Sequence, residues 1–118
     1  MNLKVLIVED DIVFCKLLTK YLNNNSVNTN DAQSAEAAKK LLAAETFDFV
    51  VIDYKLPDED GLAVLQWMDQ EHIEARKILM SRFEDETVIR KATDLGVKKF
   101  IKKPIKPNEL LELIRELK

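Results

Sequence analysis

Glycine is scarce in this chain, with only Gly61 and Gly96 among 118 residues. No strand-like run is followed by a glycine-rich or hydroxyl-rich loop whose backbone amides would cradle a phosphate, which argues against a flavin-binding domain. Cysteine is scarcer still. Cys15 stands alone, so no internal disulfide can form; a single thiol of this kind reads as a small core hydrophobe and fits a reducing compartment. Long apolar runs are also missing. MNLKVLIVEDD offers only Val5 to Val8 before three acids, too short for a signal-peptide core or a membrane span. Nor is there an excess of positive charge: the net charge of −3 argues against a general affinity for nucleic acid or anionic membrane. A cytoplasmic protein is expected.

What is present suits one domain spanning 1–118, since 47% hydrophobic residues suffice for a core without disulfide or metal staples. Val5 to Val8, Phe49 to Ile52 and Ile78 to Met80 are short apolar runs typical of strands covered on both faces. The segment around Val27 and Thr29 is a weaker strand, flanked by Asn28 and Asn30, and Val97 to Ile101 is a short lysine-rich one. Helical spacing recurs between them: Phe14, Leu17, Leu18, Tyr21 and Leu22; the alanines and Leu41 to Leu42 after a Ser34 N-cap; Leu62, Leu65 and Met68 after Asp60 and Gly61; Val88, Ala92 and Leu95, closed by Gly96; and Leu110, Leu113, Ile114 and Leu117 after Pro107. Five strand-then-helix units predict an α/β domain with a parallel sheet between helices. Ligands of such sheets bind beyond the carboxyl ends of the strands.

At those ends stand Glu9, Asp10 and Asp11, then Asp53, then Ser81, then Lys102 and Lys103. Asp53 is unusual because it terminates the apolar run FVVI, where a charge is unfavourable unless it serves chemistry. Gathered carboxylates repel one another, so they take up protons or recruit a cation. Hard oxygen donors favour Mg²⁺, with Mn²⁺ as the alternative ion. A nearby hydroxyl and ammonium suit an incoming phosphoryl group, and Asp53 as nucleophile would become an acyl phosphate.

The pieces VLIVEDD, DYKLPDEDG, ILMS and FIKKP, in this order, span nearly the whole chain. Together they resemble the response-regulator receiver domain of two-component signalling. That resemblance implies a flavodoxin-like, doubly wound (βα)5 fold with strand order 2-1-3-4-5. It makes Asp53 the phosphoacceptor, Asp10 a direct Mg²⁺ ligand, Glu9 its support, and Asp53 and the Lys55 carbonyl further ligands. Ser81 and Lys103 would contact the phosphoryl group, and a cis bond is expected between Lys103 and Pro104. Phe100 would be the aromatic switch that rotates as Ser81 moves, remodelling the face of the fourth helix, fifth strand and fifth helix. The implied donor is a histidine kinase or histidine phosphotransfer protein, and the implied reader a downstream effector domain or protein.

Arg82 departs from the family pattern, which has a small residue after the switch hydroxyl; Lys55, Arg82 and Phe83 are candidates for tuning the reaction rate. Asp11 reads as a helix-start acid, His72 as a solvated loop residue, and Trp67 as a packing residue of the third helix. Two rivals stand beside the non-enzymatic signalling reading. An aspartate-nucleophile phosphatase needs a second acid two residues after the nucleophile, where this chain has Lys55. A receiver-like interaction module that no longer takes phosphate is the other. The sequence leaves open a free-standing regulator or one domain of a longer protein.

Overall fold

The computed structural model describes residues 2–118. Its elements run β1 (Lys4–Val8), α1 (Ile12–Asn24), β2 (Asn28–Ala32), α2 (Ala35–Ala44), β3 (Phe49–Asp53), α3 (Gly61–Gln70), β4 (Arg76–Ser81), α4 (Glu86–Asp94), β5 (Val97–Lys102) and α5 (Pro107–Leu117). All neighbouring strands pair in parallel, in the order β2-β1-β3-β4-β5. The doubly wound, flavodoxin-like sheet expected from the sequence is therefore present.

Side-chain alternation divides the core in two. Val5, Ile7, Phe49, Val51, Ile78, Met80 and Ile101 pack with residues of α1 and α5. Leu6, Val8, Val50, Ile52 and Leu79 pack with α2 and α3 on the opposite face. A period of two with both faces buried is what turns these runs into continuous apolar stretches. Each fully buried aliphatic side chain contributes about 1.5–3 kcal/mol.

Three local expectations are refined. In α1 the buried stripe is Cys15, Leu18, Thr19 and Leu22. Leu17 is instead 54% exposed, because Cys15 takes the core position one turn before Leu18 and Thr19. The Thr19 hydroxyl donates to the Cys15 carbonyl at 2.8 Å, which lets a polar side chain sit in that stripe. The asparagine-rich β2 forms because the Asn23 side chain accepts from the Thr29 amide at 2.8 Å and donates to its carbonyl at 3.1 Å. These bonds tie the edge strand to α1. Helix α4 buries only Ala92; Val88 and Leu95 are half-buried, and Leu95 is the C-cap. Gly96 follows at φ 82°, the left-handed conformation expected of it. Among the described residues, no helix is long and apolar enough to cross a membrane.

Candidate functional site

Strand register assembles the site. Val8 pairs with Ile52, so Glu9 and Asp10 leave β1 at the level where Asp53 ends β3. Asp53 pairs with Met80, and Ser81 with Lys102. The alternation that sends Ile7, Val51 and Ile101 toward α1 and α5 carries Glu9, Asp53 and Lys103 to the same side, one step past the last apolar residue.

The Lys103 ammonium donates to Asp53 Oδ2 at 2.9 Å and also to Glu9 Oε1. All three side chains are at most 8% exposed. Burial pushes the Glu9 carboxyl up to about 7, with the Asp53 charge adding to the rise; the bonds from Lys103 and from the Asp11 amide at 3.0 Å oppose it. Burial disfavours the Lys103 ammonium, yet its bonds to Glu9 and Asp53 together outweigh that cost and hold it above the ordinary lysine value. The ring of Phe14 lies 5.4 Å from the same ammonium. The Lys103 backbone is held as well, its amide donating to the Ser81 carbonyl at 2.8 Å. The Lys103-Pro104 bond is cis, as expected. The Ser81 hydroxyl oxygen accepts from the Phe83 amide at 3.2 Å.

Carboxylate oxygens of Glu9, Asp10 and Asp53 lie within 4.8 Å of one another. Three acids against one ammonium leave the cluster short of positive charge, and an all-oxygen donor set suits a small hard cation. A cavity of about 520 Å³ opens over the cluster and is lined also by Lys55, Ser81, Arg82 and Phe83. Phe100 does not line it; half-buried on β5, it packs against the apolar core on the α2 and α3 side of the sheet. Asp11 caps α1, accepting from the Phe14 amide at 3.1 Å. His72 is exposed, and the half-buried Trp67 packs between core and solvent with the Lys39 ammonium 5.7 Å from its ring.

The loop from Asp53 to α3 is tightly drawn. The Gly61 amide donates to the Tyr54 carbonyl at 2.6 Å, and Lys55 bridges to Asp60. Asp60 caps α3 through the Ala63 amide at 2.8 Å. A Cβ on Gly61 would lie 2.5 Å from the Asp53 carbonyl oxygen. The loop tip reaches another helix altogether: Asp58 accepts from the Ala35 and Glu36 amides at the start of α2. Sequence reading missed that contact, because nothing in the pattern PDED says which of its acids turns back toward an earlier helix.

Residues 5–115 match the model of the response regulator receiver domain. The chain belongs to that family. As a receiver domain it is 31% identical over 111 residues to the response regulator protein PilR of Pseudomonas aeruginosa, covering 94% of this chain and 25% of PilR. It is 32% identical over 115 residues to the transcriptional regulatory protein KdpE of Staphylococcus aureus, covering 98% of this chain and 49% of KdpE. The receiver domain thus spans from a quarter to a half of these relatives. Among solved structures, a CheY-like receiver domain protein from Methanospirillum hungatei superposes with a TM-score of 0.93 at 25% identity, covering 99% of this chain and 94% of that one.

Proposed function

We propose that this receiver domain accepts a phosphoryl group on Asp53 from a phosphohistidine of a histidine kinase or histidine phosphotransfer protein. The observation that supports it most is the Lys103 ammonium bonded at 2.9 Å to Asp53 within a three-carboxylate cluster at the floor of an open cavity. A carboxylate oxygen of Asp53 forms the new O–P bond while the P–N bond breaks and its electron pair stays on the imidazole. Lys103 moves from carboxylate to phosphoryl oxygens and offsets their charge. Asp10, Asp53 and the Lys55 carbonyl are the proposed ligands of Mg²⁺, with Glu9 in support, and the ion supplies further charge neutralisation when bound. The Ser81 hydroxyl turns from the Phe83 amide to donate to the phosphoryl group, and Phe100 on β5 reads that movement at the α4-β5-α5 face.

The donor must bring a phosphohistidine to the cavity mouth. Ile12 and Val13, which open α1, are 56% and 78% exposed, and Leu17 one turn on is similarly bare. This apolar strip beside the acids suits the face of a partner helix carrying the histidine. By the same reading the output lies in a downstream effector domain or effector protein.

The test is incubation with acetyl phosphate, with and without Mg²⁺. Hydroxylamine-sensitive labelling that requires Mg²⁺ and vanishes in Asp53→Asn is expected. Labelling that persists in Asp53→Asn, or steady phosphate release from an unrelated ester, overturns the proposal.

A further inference from the structure

The middle of the β3–α3 loop is held by a helix to which it does not belong. Helix α2 already has its own cap, the Ser34 hydroxyl, which accepts from the Ala37 amide at 3.1 Å. The two amides ahead of it are taken by one side chain: Asp58 accepts from Ala35 through Oδ1 at 2.9 Å and from Glu36 through Oδ2 at 3.0 Å. Using both oxygens fixes the carboxylate in direction as well as in distance. The Asp58 Oδ1 also accepts from the Glu59 amide at 3.1 Å, which ties the side chain to the loop's own backbone. Next to it, the Glu59 carboxylate accepts from Lys39 of α2 at 2.5 Å. These amides keep the Asp58 carboxyl below the usual carboxylate range.

Lys55 lies three residues before Asp58 and lines the acidic cavity. Besides Asp58, the backbone around it is held by the bridge to Asp60 and by the Gly61 amide bonded to the Tyr54 carbonyl. The stretch between Lys55 and Asp58 is exposed except for Leu56, so little packing holds its shape. We propose that Asp58 is a positioning residue for the divalent-ion site. Its two-pronged grip on α2 sets the loop conformation that presents the Lys55 carbonyl to the carboxylate cluster. This inference rests on the proposed Mg²⁺-dependent reading and adds a residue that touches neither ion nor phosphoryl group.

Calorimetric titration with MgCl₂ of the whole chain tests it, using wild type, Asp58→Ala, Asp58→Asn and Ser34→Ala. Asp58→Ala is expected to weaken Mg²⁺ binding by about 10-fold, as loss of a ligand-orienting partner does. Asp58→Asn, which keeps one acceptor oxygen, is expected to fall between Asp58→Ala and wild type. Ser34→Ala weakens the start of α2 without releasing the loop, and is expected to bind as wild type does. Wild-type affinity in both Asp58 variants overturns the proposal, and so does an equal loss in Asp58→Ala and Ser34→Ala, since the contact would then only stabilise the helix. Should Asp58→Ala not fold, Asp58→Asn against Ser34→Ala decides alone. Absence of Mg²⁺ binding by wild type would instead defeat the functional reading itself.

Discussion

Gly61→Ala sets two effects of opposite sign against each other. Gly61 is the first residue of α3, and alanine in place of glycine there favours the helix by at most about 1 kcal/mol. Against this, the added methyl would sit 2.5 Å from the Asp53 carbonyl oxygen and 3.2 Å from both the Asp53 carbonyl carbon and the Tyr54 Cα. All three are backbone atoms, so no side chain can swing aside. Overpacking of this kind costs about 1–3 kcal/mol. Sterics therefore win, with a net loss of about 1–2 kcal/mol and a Tm lower by about 4–10 °C for a domain of this size. Urea and thermal unfolding of the two proteins measure it. The displaced backbone belongs to Asp53, so acetyl phosphate labelling should also slow. A Gly61→Ala protein as stable as wild type would refute the argument, because the close approach would then not constrain the fold.

Lys103→Met should lower the rate of Asp53 labelling by about 10²–10³, the usual cost of losing a donor at developing charge, as followed by labelling time courses at saturating Mg²⁺; an unchanged rate removes Lys103 from the chemistry. The Asp58 carboxyl is depressed in the folded protein, so its contribution is present above the ordinary value of 3.8 and fades as pH falls through the lower folded value. The Tm difference between wild type and Asp58→Asn should accordingly be flat near neutrality and shrink below about pH 4; a gap that widens on acidification contradicts the assignment. The buried Lys77 ammonium is met by Asp69 at 2.5 Å and by the Leu95 carbonyl at 2.9 Å. Asp69→Ala should cost about 1–2 kcal/mol by stranding that charge, whereas the apolar Lys77→Met should stay within about 1 kcal/mol of wild type in urea unfolding.

The central strands were readable because burial on both faces leaves a signature no loop imitates: Val5 to Val8 and Phe49 to Ile52 are all fully buried. Asp53 was readable for the same reason, as a charge at the end of such a run. Legibility fell where one residue's role depends on a neighbour distant in sequence. Leu17 has the helical spacing of a core residue, and only the placement of Cys15 against the sheet shows that it faces solvent. The asparagines of β2 look hostile to a strand until Asn23 of α1 is seen bonding both backbone groups of Thr29. Asp58 resembled any other turn acid, since its partners lie 22 and 23 residues away.

The ammonium bonded to the Asp53 carboxylate comes from a residue 50 positions later in the chain, and it reaches back 94 positions to Glu9. A ribosome must therefore finish β5 before the acids at the ends of β1 and β3 acquire their counter-charge. Until then the nascent chain presents crowded, mutually repelling oxygens on an incomplete sheet. A truncated copy that stops before β5 therefore lacks the ammonium that balances these carboxylates.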